Sequence, residues 1–404
     1  MKNSLYNYLC VALVATCVAT GAFAQSFSVK GNIKGIKNGT KVSLRSRENG
    51  KQITCSTLSK GSAFELKGTV KSPMLVEIEI SDKPQSEYKQ GDYPEDRGVK
   101  FMLENANYTV SAACMDSVPR NFIMDGTALP QLPNVTINGG EAQRQYQEWF
   151  KTTYPQQLAQ ALANTALRHE LYFSGKKKSE VDTATTNRLE AAYDKATEEL
   201  NKVNADFIAA HPNYAISLQL QQEKTSRPFV YSVAELDAML KTFAGNYDKA
   251  RLAEFTKAVN DLKKFPKEAQ YRNLPLETPD GTKTQLTDCI VKGKYNFIDF
   301  WASWCGPCRA AIPSVKEMYK RMSDKVNIIS VSVDRKNADW QKALKEENMP
   351  WKQYVVPAEG MNKLTSEYML QFVPTLMVID PEGKIQVYVN DPAKAHHYLE
   401  EHVK

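Results

Sequence analysis

Phe300-Trp301-Ala302-Ser303-Trp304-Cys305-Gly306-Pro307-Cys308-Arg309 follows an apolar, strand-like run and opens a helix-like one. One helical turn brings positions i and i+3 to the same face, near the Cα separation of about 5.5–6 Å that a disulfide tolerates. Unpaired N–H groups and a partial positive charge at a helix start favour a thiolate over a thiol, which makes Cys305 the expected nucleophile. Gly306 leaves no side chain to block an incoming disulfide, and Pro307 pre-sets the backbone for a helix. Cys308, one turn deeper, is then the resolving thiol. A zinc site would need a second ligand pair, but Cys289 stands alone upstream and His396-His397 lies far downstream without ligand spacing. The pair therefore reads as a redox dithiol with no metal.

Trp304-Cys305-Gly306-Pro307-Cys308 resembles the active site of thioredoxins, and the resemblance extends over roughly residues 270 to 404. Its details are similar to the secreted thioredoxin-like group of TlpA and ResA type. Leu276, Pro279-Asp280-Gly281, Leu286-Thr287-Asp288 and Gly293-Lys294 resemble that group's opening strand and turn, and Val373-Pro374-Thr375 resembles its cis-proline loop. The resemblance implies a thioredoxin fold in which Trp304, Gly306, Pro307, Val373 and Pro374 meet the substrate. A cis X-Pro bond would expose the backbone of Val373 for strand-like pairing, whereas a trans proline would merely start a strand.

Asp299 lies in an apolar strand six residues before Cys305 and matches the buried acid of thioredoxins. Burial would raise its pKa and let it take the proton of Cys308; the plainer reading is an exposed or lysine-paired strand-end aspartate. ResA-like proteins often carry an assisting glutamate three residues after the second cysteine. Ala311 stands there in this chain, so Asp299 would act alone.

Working outward, Lys2 precedes the apolar segment Leu9-Cys10-Val11-Ala12-Leu13-Val14-Ala15, and Ala22-Phe23-Ala24 ends in small residues. This reads as a signal peptide over residues 1–24, cleaved before Gln25. A lipoprotein reading would use Cys17, but Thr16 suits it poorly and the apolar core would be cut short. The expected location is the periplasm, where an oxidising environment closes an ordinary dithiol and something must reopen it. The resemblance implies a membrane electron-donor protein for that task, and disulfide-containing or thiol proteins as partners. The dithiol itself does the redox chemistry, so no cofactor is expected.

A chain of 404 residues, 42% hydrophobic and 24% charged, has core material for two or three domains and is neither disordered nor multi-span. The net charge of +6 is modest, and Lys176-Lys177-Lys178 sits among Gly and Ser without aromatics, so no nucleic-acid role is indicated. Short alternating runs such as Val42-Ser43-Leu44, Phe64-Glu65-Leu66 and Val76-Glu77-Ile78-Glu79-Ile80 predict an antiparallel β sandwich or barrel over 25–125. It resembles a β domain of unassigned function found joined to secreted thioredoxin domains. Cys55 and Cys114 within it read equally as a bridge or as two buried thiols.

Helical periodicity follows over 126–270, clearest at Leu189, Ala192, Tyr193, Ala196, Leu200, Val203 and Phe207. Ser232 and Glu235 have capping-box spacing, and Leu252, Phe255, Val259 and Leu262 form another stripe. Residues 271–404 alternate strands and helices, as a thioredoxin-like domain requires. The whole is a multidomain α/β and β chain with a helical middle. Its expected activity is that of a periplasmic thiol-disulfide oxidoreductase working mainly as a reductase of protein disulfides through a mixed disulfide on Cys305. The alternative from another class is a non-catalytic scaffold in which the fold only holds a partner. A thiol peroxidase would need a lone cysteine with threonine one turn earlier, which is lacking.

Overall fold

The computed structural model describes residues 26–48, 51–87, 89, 96–120, 134–175 and 182–403. The expected signal peptide, the Lys176-Lys177-Lys178 run and the expected boundary at 125/126 lie outside them. The chain forms two compact units that divide between Val203 and Asn204.

The first unit begins with eight strands: β1 (Phe27–Ile33), β2 (Thr40–Glu48), β3 (Lys51–Leu58), β4 (Ala63–Gly68), β5 (Met74–Pro84), β6 (Arg97–Leu103), β7 (Asn107–Ala112) and β8 (Val135–Asn138). They make two four-stranded sheets, ordered β4-β1-β7-β8 and β3-β2-β5-β6. The period-2 patterning puts Val29, Ile33 and Val110 of one sheet and Leu44, Ile78 and Phe101 of the other into one shared core. The ladders are antiparallel except β1 with β7, which is parallel. Cys55 and Cys114 are free thiols and do not bridge. Helix α1 (Glu141–Arg168) is tied to this sandwich through its first turns: Gln143 accepts from Met102 N–H at 3.0 Å, and Gln147 donates to Ile137 O at 2.9 Å. Helix α2 (Thr183–Ala210) follows, and the division between the units falls inside it.

The second unit opens with α3 (Ala215–Lys224), α4 (Val233–Phe243) and α5 (Lys249–Leu262). The Ser232/Glu235 capping box forms as the sequence predicts. Leu218, Leu236, Phe243, Phe255 and Val259 close a small helical core, with Phe243 and Phe255 edge to face at 5.7 Å. Next come β9 (Pro275–Glu277), β10 (Lys283–Gln285), α6 (Leu286–Cys289), β11 (Tyr295–Trp301), α7 (Gly306–Met322), β12 (Val326–Ser332), α8 (Asn337–Glu347), β13 (Lys352–Val355), α9 (Met361–Tyr368), β14 (Thr375–Ile379), β15 (Ile385–Val389) and α10 (Pro392–His402).

The seven strands run in the order β10-β9-β13-β12-β11-β14-β15, with β11, β12 and β13 parallel, β14 antiparallel to β11, and β15 antiparallel to β14. Near-continuous apolar strands fit a sheet covered on both faces. Ile298, Phe300, Ile329 and Met377 pack on one face. Phe297, Ile328, Leu376 and Val378 pack on the other, under Ile312, Val315 and Met318 of α7 and Leu399 of α10. This unit contains a thioredoxin fold, and the chain as a whole also has a β-rich region and a helical middle. Pro313 sits within α7 without ending it. Among the described residues no helix is long and apolar enough to cross a membrane.

Candidate active site at the start of α7

Strand β11 ends at Trp301, and the chain turns through Ala302-Ser303-Trp304 so that Cys305 becomes the N-cap of α7. Cys308 N–H donates to Cys305 Sγ at 3.2 Å, so this sulfur satisfies one of the helix's orphan donors. The two cysteines are joined as a disulfide with Cα atoms 5.3 Å apart, as one helical turn requires. Nothing lies within 4 Å of where a Cβ on Gly306 would stand, which keeps the approach open.

The sulfurs themselves are well packed. Cys305 is only 4% exposed, because Trp301, Ala302 and Val373 close around the cysteines, whereas Trp304 is 70% exposed. The outward feature is therefore the indole, with the disulfide at its foot. The Val373–Pro374 bond is cis, and Val373 packs in the same cluster as the two cysteines. Phe372, one residue earlier, is 52% exposed. The dithiol and the proline loop thus come together through Val373, and Trp304 stands next to Cys305 in the chain.

Asp299 shares a face of β11 with Phe297 and Trp301, the face that α7 covers. It is 6% exposed and pairs in register with Ser330 on parallel β12. Trp351 Nε1–H donates to Ser330 Oγ at 2.9 Å, and the Ser330 hydroxyl donates to Asp299 Oδ2 at 3.1 Å. Burial raises the carboxyl from 3.8 to about 7, against the smaller opposing effect of the Ser330 hydrogen bond. The exposed or lysine-paired reading of Asp299 does not hold.

Asp334 is the feature that sequence reasoning missed. Its carboxylate accepts from Ser303 N–H at 2.8 Å, Ser303 Oγ–H at 2.6 Å and Ser332 Oγ–H at 2.7 Å, clamping the turn before Cys305. The one signal in the sequence is an acid just past the end of the strand that neighbours β11. Removing this buried carboxylate leaves three donors without their acceptor, and a fully unsatisfied donor costs about 1–3 kcal/mol. Asp334→Ala is expected to lower stability by about 3 kcal/mol in urea unfolding, while Asp334→Asn recovers part of the loss.

Arg309 and Lys316 on α7 are tied to the end of α8. Arg309 Nε donates to Glu347 at 2.6 Å and Nη2 to Glu346 at 2.8 Å, and Lys316 Nζ donates to Glu347 O at 2.6 Å. The reason is long-range: the end of α8 lies beside α7. His396, 8% exposed, faces Ser314 Oγ at 3.3 Å behind α7, away from the cysteines' cluster. Cys289 is a buried free thiol, pushed up in pKa by desolvation.

Residues 293–385 match a thioredoxin-like family, and residues 27–146 match a domain of unknown function, DUF4369. Thiol-disulfide oxidoreductase ResA of Bacillus cereus is 30% identical over 107 residues, 26% of this chain and 59% of that protein. The protein of the same name from Bacillus subtilis is 30% identical over 114 residues, 28% of this chain and 61% of that one. The chain thus spans about three fifths of the length of these curated relatives. The crystal structure of the thioredoxin domain of a thiol-disulfide oxidoreductase from Bacteroides vulgatus is 28% identical with a TM-score of 0.32, covering 34% of this chain and 97% of that one.

Proposed function

We propose, from the premise that the C-terminal part of this chain is a thioredoxin-like domain, that the protein is a periplasmic thiol-disulfide oxidoreductase acting mainly as a reductase of protein disulfides. The observation that supports this most is the Cys305–Cys308 pair at a helix start, beside exposed Trp304 and cis Pro374. In the reduced protein the Cys305 thiolate attacks a client disulfide. A Cys305–client S–S bond forms, the client bond breaks, and the client's second sulfur leaves as a thiolate. Cys308 then gives its proton to the Asp299 carboxylate and attacks the Cys305 sulfur. The client's first sulfur leaves as a thiolate, and the protein is left with the Cys305–Cys308 disulfide. Two electrons have passed to the client, and the protein's dithiol supplied both.

Trp304, Gly306 and Pro307 form the surface that meets the client, and the backbone of Val373 before Pro374 pairs with it in strand fashion. A membrane electron-donor protein returns the dithiol to its reduced state. Residues 1–24 act as signal peptide, 25–125 together with strand β8 as a β domain, the rest of 126–270 as a helical linker domain and 271–404 as the catalytic domain. The test is a Cys308→Ser variant expressed in the native cell. Without the resolving sulfur, client proteins are expected to accumulate as adducts on Cys305 that reducing agent releases. Recovery of nothing beyond nonspecific adducts would overturn a dedicated reductase.

A further inference from the structure

A cavity of about 190 Å³ adjoins the cis-proline loop: Phe372 and Thr375, on either side of Val373–Pro374, both line it. At about 30 Å³ per water this is room for one side chain and little more. Its other walls include Met369, Tyr388 and Arg227, the last from the segment between α3 and α4. Arg227 is the only charged side chain in that lining among the described residues, is exposed, and makes no ion pair among them.

Tyr388 is 8% exposed, and its hydroxyl has no hydrogen-bond partner among the described residues. That hydroxyl is fully buried, so Tyr388 meets the cavity with its other atoms. Burial pushes this phenol upward in pKa, so it stays uncharged. The Arg227 segment is also firmly held. Phe229, two residues on, adopts a left-handed backbone at φ 62°, donates its N–H to Phe265 O at 2.8 Å, and packs edge to face on Tyr388 at 5.1 Å. An aromatic residue in that region is strained and persists only where its surroundings fix it. Here they fix Arg227 at the rim of the cavity.

We infer that this cavity receives an acidic side chain of the client next to its reactive cysteine, with Arg227 selecting clients that carry aspartate or glutamate there. This deepens the reductase reading and rests on it. It gives the helical middle region a part in client choice, because the selecting guanidinium lies outside the thioredoxin-like match at 293–385.

The test uses the full chain carrying Cys308→Ser, reduced with dithiothreitol and desalted. Its substrates are one cysteine peptide blocked as a disulfide with 2-mercaptoethanol, made with Glu, Ala or Lys at each flanking position. Attack by Cys305 is followed by mass spectrometry, and 2-hydroxyethyl disulfide serves as the uncharged reference. The Glu peptide is expected to react about tenfold faster than the Lys peptide. Adding Arg227→Glu inverts that order. If Cys305 attacks the reference disulfide but the Glu-to-Lys ratio is the same with Arg227 and with Arg227→Glu, the acidic-client inference falls and the reductase reading stands. If no disulfide is attacked at all, the reductase reading falls and takes the inference with it.

Discussion

Replacing Cys305 by serine is expected to lower catalysed disulfide reduction by more than about a thousandfold, to the rate of the added thiol donor alone. A serine hydroxyl at this N-cap is not ionised at neutral pH, so the helix start has no thiolate to stabilise, and Cys308, one turn deeper, is not at the outer end of the helix. The fold should survive. Serine is a favoured N-cap and can accept from Cys308 N–H as the sulfur does. Losing a disulfide that closes so short a loop costs only about 2 kcal/mol by chain-entropy reasoning. Insulin reduction with dithiothreitol as donor measures the first effect, and urea unfolding the second. The paired variant separates the two sulfurs. Cys308→Ser should release one client thiol per protein and then stall as a mixed disulfide, whereas Cys305→Ser should release none. A stalled adduct on Cys308 in the Cys305→Ser protein would reverse the assigned order of attack.

The features that sequence made legible are those written locally. The CxxC spacing, Gly306-Pro307 and the strand before them foretold a helix starting at Cys305 with the sulfurs one turn apart. Ser232 and Glu235 foretold their own capping box, and alternating Val76, Ile78 and Ile80 a two-sheet core. What escaped depends on register between distant strands. The Trp351–Ser330–Asp299 chain needs β11 and β12 parallel and in step, and the Asp334 clamp reaches across 31 residues to Ser303. Neither can be told apart from local sequence, since Ser and Asp at strand ends read equally well as solvated turns. The parallel pairing of β1 with β7 was equally hidden, because inward-outward alternation is the same for either direction. The division between units inside α2 carries no sign either, since an amphipathic helix has the same period on both sides of it. The seclusion of Cys305 came from tertiary packing by Trp301 and Val373, which outweighed the openness that Gly306 suggests.

Asp299→Asn is expected to slow reduction about a hundredfold near pH 7 while making the protein more stable at alkaline pH, two effects with one cause. A buried carboxyl poised at about 7 can hold or release a proton in the working range, and general base assistance is worth about 10²–10⁴ in rate. The asparagine amide keeps the shape and can still accept from Ser330, but it takes no proton. The wild-type rate should therefore rise with pH through about 7 as Asp299 ionises, and that inflection should vanish in the variant. Stability moves the other way. Below pH 3.8 the carboxyl is protonated folded or unfolded and costs nothing. As pH rises from 3.8 to 7 the unfolded chain releases the proton while the native state retains it, so stability falls, reaching a penalty of about 4 kcal/mol above pH 7. Asparagine has no such slope, although its amide N–H group, if left unsatisfied, costs about 1–3 kcal/mol. The net gain at pH 8 should be about 2 kcal/mol in urea unfolding, with no gain at pH 4. If the variant lost activity but kept both the inflection near 7 and the wild-type slope of stability with pH, Asp299 would be a packing residue and the proton of Cys308 would leave by another route. A gain in stability joined to a loss of rate is what a charge kept in an apolar place for its chemistry requires.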